Sequence, residues 1–418
     1  MEKFIINGGR QLYGSVELQG AKNSVLPILA ATLLTGRVSV LHNCPDLTDA
    51  DAAIKILLHT GCKVRREGHT LIVDSSGASG YEIPESLMRE MRSSIVFLGA
   101  MLSRFGRAKL TAPGGCEIGL RPIDLHLAAL RKMGVDIREE SGSLLFVCRE
   151  KMRARHIALG FPSVGATENI MLAAMGAKGE TVISNAAREP EIADLARFLS
   201  KCGAKIYGAG GSVIRISCPN GLYPAEHRII PDRIVASTYL AAVACACGKV
   251  NVKGVNREHL MPVLPVFETM GVEVGFSGTE MTVSAKERPH RIKHIRTMPY
   301  PGFPTDSQAL IMAVAAKANG TSIITEKIFE NRFRHVPELI KMGADITVEN
   351  CSVAVIQGVK KLHGAKVTAG DLRGGSALAV AAFGAEGKTE IEKICHIDRG
   401  YEAFEMNFSA LGADIRRV

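Results

Sequence analysis

The residues of this 418-residue chain that could carry chemistry are one cysteine in a glycine-rich stretch and a set of lysine, arginine and aspartate residues at the openings of apolar segments. Cys116 lies in Pro113-Gly-Gly-Cys116-Glu-Ile-Gly119-Leu-Arg121-Pro122, which has neither helical nor strand periodicity and is expected to form a mobile loop. A loop thiol beside Arg121 could have a lowered pKa and act as nucleophile or proton donor, although a lone loop cysteine is more often inert. The other nine cysteines sit mostly in apolar or strand-like contexts and read as small buried hydrophobes. The second set comprises Lys22-Asn23, Arg92-Ser93, Ser163-Val-Gly165, Asp232-Arg233, Asp306 and Asp371-Leu-Arg373. Acids at helix starts are explained by N-capping as readily as by function, and for Asp232 and Asp371 both readings stand. Lysine and arginine there oppose the helix dipole unless an anion is present. Parallel helices would bring their N-termini to one end, which is an anion-binding arrangement. The expected site is therefore a cleft between two domains for a substrate with several negative charges.

An internal repeat predicts the elements that must position these residues. A helix end followed by a strand recurs with glycine at Gly61, Gly134, Gly203, Gly271, Gly343 and Gly412, every 68 to 73 residues, as in Lys132-Met-Gly-Val-Asp-Ile137 and Lys341-Met-Gly-Ala-Asp-Ile346. A second series, Gly36, Gly106, Gly179, Gly248, Gly320 and Gly387, keeps the same beat, and both read as left-handed residues after helix ends. Before each glycine of the second series lies a nearly uncharged helix, over 25–34, 95–103, 169–177, 235–247, 309–316 and 377–385, apolar enough to be buried all round. A second, amphipathic helix such as 51–59 or 337–342 covers the outside, and a hairpin such as 62–74 follows it, turning at Glu67-Gly68-His69. Each unit reads strand, buried helix, strand, surface helix, two strands. The sixth lacks its last strand, which Phe4-Ile-Ile6 can supply, so the expected organisation is a domain of three units over 22–230 and a discontinuous one of three units over 1–21 plus 231–418.

Composition narrows the function classes. Lys+Arg 51 against Asp+Glu 42 gives +9 without long basic runs, and with no Trp and 5% aromatics a nucleic-acid platform is disfavoured. No CxxC motif and no secretory start are present, which points to a reducing, cytoplasmic setting, and the longest apolar runs fall far short of a membrane span.

The chain resembles the UDP-N-acetylglucosamine 1-carboxyvinyltransferases, a branch of the enolpyruvyl transferases, in Lys22-Asn23, Met91-Arg92-Ser-Ser-Ile95, Pro113-Gly-Gly-Cys116 with Arg121-Pro-Ile-Asp-Leu125, Ser163-Val-Gly-Ala-Thr167, Asn185-Ala-Ala-Arg-Glu-Pro-Glu191, Pro231-Asp-Arg-Ile234, Phe303-Pro-Thr-Asp306, Phe329-Glu-Asn-Arg332-Phe and His396-Ile-Asp-Arg399-Gly-Tyr401. The resemblance covers essentially the whole chain in order. It implies a two-domain inside-out α/β barrel of six βαβαββ units, and transfer of enolpyruvyl from phosphoenolpyruvate to the 3′-hydroxyl of UDP-N-acetylglucosamine with release of phosphate, the first committed step of peptidoglycan precursor synthesis. It implies no metal or redox cofactor, no nucleic acid and no membrane.

Carried over by position, Cys116 is the proton donor, able to form a pyruvyl adduct and to react with fosfomycin, and Asp306 takes the hydroxyl proton. Lys22, Asn23, Arg121, Arg373 and Arg399 are assigned to phosphoenolpyruvate, with Lys22 and Arg399 counted among the catalytic groups. Arg92, Arg121, Pro122, Ile123, Asp124, Leu125, Ser163, Val164, Gly165, Asp306 and Ile328 are assigned to the nucleotide sugar. Glu189, Asp232, Arg332 and Asp371 are assigned to support or closure, and the loop of Cys116 and Arg121 is expected to act as a lid. The chain departs from the pattern at Asn407 and Thr48, where some relatives have lysine, and at Gly374-Gly375, which replaces alanine-like residues and is expected to loosen the sixth buried helix start. The nearest alternative, 5-enolpyruvylshikimate-3-phosphate synthase, lacks the Pro-Gly-Gly-Cys loop; a non-catalytic nucleotide-sugar-binding paralogue is the alternative from another class.

Overall fold

The computed structural model describes residues 2–111, 123–140 and 142–418, with the Arg92 side chain left aside. The assignments to Cys116, Arg121, Pro122 and the Arg92 side chain therefore lie outside the described residues.

The repeat builds six four-stranded sheets. In one of them His156–Ala158 runs parallel to Thr181–Ser184, which pairs antiparallel with Val213–Ser217, itself antiparallel to Lys205–Tyr207. A parallel pair needs a crossover, and the helix Val164–Ala174 supplies it; the amphipathic Pro190–Lys201 leads into the hairpin. The six helices of the repeat are α1 Lys22–Thr32, α2 Phe97–Phe105, α3 Val164–Ala174, α4 Arg233–Ala246, α5 Gln308–Ala316 and α6 Leu372–Phe383; α2, α3, α5 and α6 each link parallel neighbours of one sheet, whereas α1 and α4 connect strands of different sheets. Every residue of α4, α5 and α6 is buried, as helices without a polar stripe require. Several start earlier than their apolar runs predict, because the first turn accommodates Lys22, Arg233 and Arg373.

Two compact units result, one of residues 20–111 and 123–230, the other of residues 2–19 and 231–418, each with its own core. Lys3–Asn7 lies between Lys388–Glu392 and Asp414–Arg417, antiparallel to both, and so supplies the missing strand of the sixth repeat. Leu12–Glu17 runs parallel to Gly248–Lys253, while Glu226–Arg228 runs parallel to Val38–His42. In the second unit α4, α5 and α6 pack against one another. Among the described residues no helix is long and apolar enough to cross a membrane.

The two glycine series have different reasons. Gly61 follows the helix Thr48–His59 with φ +96°; its amide donates to the Leu58 carbonyl (3.0 Å) and the Cys62 amide to that of Leu57 (2.9 Å), a Schellman closure. The same pair of bonds recurs at Gly203, Gly271, Gly343 and Gly412. In the other series only Gly106 directly ends its buried helix. Gly248 instead opens a strand at φ +118°, where a Cβ would stand 2.0 Å from the Leu12 carbonyl oxygen, so close strand approach rather than helix capping demands glycine.

Candidate functional site

In the unit of residues 231–418 three helix starts meet at Asp306, which lies in the 3-10 turn Thr305–Ser307 that opens α5. Its Oδ1 accepts from Arg373 Nε of α6 at 2.9 Å and from Arg332 Nη2 at 3.0 Å. The Arg373 and Arg332 side chains are 7% and 4% exposed and that of Asp306 28%. Burial alone would raise the Asp306 pKa, but Arg373, Arg332 and then Arg233 of α4 hold it well below the usual carboxylate range. Arg332 also donates from Nε (3.3 Å) and Nη2 (3.2 Å) to the Thr305 carbonyl, so the backbone before Asp306 is tied to the same guanidinium.

Asp232 and Asp371 are N-caps. Asp232 Oδ1 accepts from the Ile234 and Val235 amides (2.8 and 3.2 Å), and Asp371 Oδ1 from those of Arg373 and Gly374 (2.9 and 3.0 Å). The expected loosening at Gly374-Gly375 is not found. A Cβ on Gly374 would stand 2.9 Å from Asp371 Oδ2 and from His335 Cβ, and one on Gly375 2.9 Å from Ala369 Cβ and Ile397 Cγ1. These glycines permit close packing around the α6 start.

Arg399 directly follows the short helix Cys395–Asp398. Gln19 brackets the following residues, donating to the Gly400 carbonyl (3.2 Å) and accepting from the Glu402 amide (2.9 Å). Phe4, Phe383, Phe404 and Phe408 pack together in stacked and tilted pairs with ring centroids 4.6 to 6.5 Å apart, and the Tyr401 ring meets Phe404 edge-on. Asn407 donates to the Glu402 carbonyl at 2.9 Å, a local turn-holding bond. The Ile328 amide donates to Glu326 Oε1 at 2.7 Å.

In the unit of residues 20–230, Lys22 Nζ of α1 is 2.7 Å from Asp49 Oδ2, with side chains 12% and 2% exposed. Two residues on, Ser24 Oγ donates to Asp194 Oδ2 (2.5 Å), while Asp194 Oδ1 pairs with His227 Nε2 and Arg197 Nη2, each at 3.0 Å. The opening of α1, and with it Asn23, is thus anchored to Pro190–Lys201 and Glu226–Arg228. Thr48 is an exposed residue opening Thr48–His59.

Ile123, Asp124 and Leu125 lead into the helix Asp124–Lys132, and Ser163 caps α3 through the Ala166 amide (3.3 Å). His126 brings the two segments together: a Cβ on Gly165 would lie 3.2 Å from its Cε1. Asn169 of α3 accepts the Gly99 amide (2.7 Å) and donates to the Ile95 carbonyl (3.0 Å), which sets the amide so that Nδ2 faces His126 Nδ1 at 2.9 Å. That nitrogen must accept, hence be unprotonated, in keeping with burial, which against the pull of Asp124 pushes the His126 pKa down to about 4. Glu189 precedes Pro190–Lys201 without capping it. Burial, then Glu191 and Glu189, raise the buried Glu168 carboxyl well above its ordinary range.

The structure groups Asp306, Arg332 and Arg373, with Asp371 and Asp232 capping the helices beside them, and it sets Ile123–Leu125 near Ser163–Gly165. Asp49, Asp194, His126, Asn169 and Glu326 were not among the site candidates. A buried aspartate beside an amphipathic pattern leaves no signal until its partner, 27 positions away for Asp49 and Lys22, is known. Of the nine described cysteines, Cys44, Cys62, Cys202 and Cys245 are buried as expected of small hydrophobes, Cys148, Cys218 and Cys247 are half-buried, and Cys351 and Cys395 are exposed.

The family described as EPSP synthase (3-phosphoshikimate 1-carboxyvinyltransferase) matches residues 6–408. UDP-N-acetylglucosamine 1-carboxyvinyltransferase 2 of Caldanaerobacter subterraneus subsp. tengcongensis is 52% identical over the full length of both chains, and UDP-N-acetylglucosamine 1-carboxyvinyltransferase 1 of Symbiobacterium thermophilum is 49% identical over 100% of this chain and 95% of that one. Among solved structures, the enolpyruvyl transferase NikO from Streptomyces tendae is similar at a TM-score of 0.91 and 26% identity, covering 100% and 99% of the two chains. EPSP synthase from Acinetobacter baumannii shares the fold at a TM-score of 0.78 and 17% identity, over 100% of both chains. Two units of three repeats, helix starts bearing paired arginines and aspartates, and this full-length similarity lead to one placement: the chain belongs to the enolpyruvyl transferase family, among the UDP-N-acetylglucosamine 1-carboxyvinyltransferases.

Proposed function

We propose that this enzyme transfers enolpyruvyl from phosphoenolpyruvate to the 3′-hydroxyl of UDP-N-acetylglucosamine, releasing phosphate, in the cytoplasmic synthesis of peptidoglycan precursors. The observation that carries the reading is the meeting of Arg233, Asp306, Arg332 and Arg373 at three helix starts. In the addition step the sugar oxygen bonds to the central carbon of phosphoenolpyruvate and its methylene carbon gains a proton. In the elimination step the bond to phosphate breaks and a methyl proton is lost. A proton donor and a proton acceptor are both needed.

Asp306 is the acceptor in this reading. A carboxylate held by two arginines is a weak base, and the substrate corrects this: an incoming anion competes for Arg373, and as that counter-charge turns away, the proton affinity of Asp306 rises. Lys22, Arg121, Arg373 and Arg399 serve the phosphate and carboxylate of phosphoenolpyruvate, with Asn23 orienting it. Ile123–Leu125, Ser163–Gly165, Ile328 and Arg92 serve the nucleotide sugar, the first two segments lying together where His126 meets Gly165. Asp232, Asp371 and Arg332 hold the helix starts and Asp306 in place, and Glu189 is assigned to support. Cys116 is the proton donor and the residue that fosfomycin would alkylate.

Phosphate release from phosphoenolpyruvate, measured with UDP-N-acetylglucosamine and separately with shikimate 3-phosphate, tests the proposal. Release with the first acceptor alone is expected. Folded protein that releases none with it overturns the reading, and release with the second alone moves the chain to shikimate chemistry. Cys116→Ala should abolish the mass shift produced by fosfomycin; an unchanged shift assigns the reactive thiol elsewhere.

A further inference from the structure

Glu326 is 2% exposed and sits just beyond the strand Thr321–Thr325. Its Oε1 accepts from the Thr297 hydroxyl (2.9 Å), the Ile328 amide (2.7 Å) and the Phe329 amide (3.1 Å). Its Oε2 accepts from the Thr305 hydroxyl at 2.8 Å. The Glu326 amide itself donates to the Ser352 carbonyl (2.8 Å), so the carboxylate projects from a fixed backbone. Thr305 is held twice, by this bond and by Arg332 on its carbonyl, and Asp306 is the next residue.

We infer that Glu326 is a positioning residue that sets Asp306 and Ile328 in one relation to each other, a role that rests on the proposed transfer reaction. One carboxylate spans the turn that presents the proton acceptor and the turn assigned to the nucleotide sugar. A carboxylate, which only accepts, satisfies all four converging groups at once, two of them amides that can only donate. Glutamine keeps three of the bonds if its oxygen takes the place of Oε1, and the Thr305 hydroxyl can turn to accept from its amide. Alanine leaves two backbone amides and two hydroxyls buried without that acceptor. Catalytic geometry is sensitive to such slack, since a displacement of about 1 Å can cost on the order of 100-fold in rate.

The test compares wild type with Glu326→Gln, Glu326→Ala and Thr305→Val by steady-state kinetics, thermal unfolding and amide hydrogen exchange of the peptide spanning Ile328 and Phe329, without substrate. Glu326→Ala should speed exchange at Ile328 and Phe329, raise KM for UDP-N-acetylglucosamine and lower kcat by roughly 10- to 100-fold. Glu326→Gln should restore most of both readouts. Thr305→Val, which removes only the Oε2 contact, should lower kcat while leaving exchange at Ile328 and Phe329 unchanged. If Glu326→Ala does not fold, the other two variants carry the comparison. Kinetics within twofold of wild type for Glu326→Ala, or for both other variants when it does not fold, overturns the inference and leaves Glu326 a stability residue. If wild type itself releases no phosphate, the transfer reaction falls separately; the exchange readout then decides whether Glu326 orders Ile328 and Phe329, and unaltered exchange in Glu326→Ala overturns that.

Discussion

Replacing Asp306 by Asn keeps the shape of the side chain and removes its charge, leaving Arg373 and Arg332 buried at 7% and 4% exposure without their shared anion. Breaking a buried ion pair by removing one partner costs about 3 to 5 kcal/mol. The lower end applies here, because Asp306 is 28% exposed, Arg332 keeps the Thr305 carbonyl and Arg373 still feels Asp232. A loss of roughly 3 kcal/mol corresponds to a Tm lowered by roughly 6 to 12 °C for a unit of 150 to 250 residues. The pH dependence is a sharper check. The folded pKa of Asp306 lies below its unfolded value of about 3.9, so its contribution is fully present above that value and is lost as pH falls through the folded pKa. The gap between wild type and Asp306→Asn, followed by calorimetry, should therefore stay level from about pH 7 to 5 and begin to close only below about pH 4. A gap that narrows already between pH 7 and 5, or a variant as stable as wild type, refutes the account of how the arginines hold this carboxylate. In phosphate release the variant should lose about 100-fold or more in kcat, the scale of one general base.

Gly248→Ala should destabilise the unit of residues 231–418 by several kcal/mol, since it adds a clash with the Leu12 carbonyl to a φ of +118°, and an unchanged denaturation midpoint would contradict the close strand approach. Asn169→Leu leaves the Gly99 amide without its acceptor and should cost about 1 to 3 kcal/mol in denaturant unfolding, with the Gly99 amide exchanging faster; equal stability would show the contact to be dispensable. Burial pushes the thiols of Cys44, Cys202 and Cys245 up to about 12, so alkylation of native protein at pH 7.5 should mark Cys351 and Cys395 and spare those three, as read by peptide mass mapping.

Much of this molecule was legible in one dimension because its rules are local. An apolar run without a polar stripe must be surrounded, and glycine after a surface helix must close it, so two series of glycines in phase were enough to announce six repeats. Asp306 and Arg373 were candidates by residue type and position, and Arg332 through the family motif alone. What the sequence could not carry is which distant residues share a charge. Lys22 and Asp49, Ser24 with Asp194 and His227, and the donors gathered by Glu326 are paired only when the helices and strands of the repeats are packed. Local patterns encode burial and turns because those costs arise within a few residues. The tertiary structure alone decides the polar network, because a buried charge is stable only when its partner, anywhere in the chain, arrives at hydrogen-bonding distance.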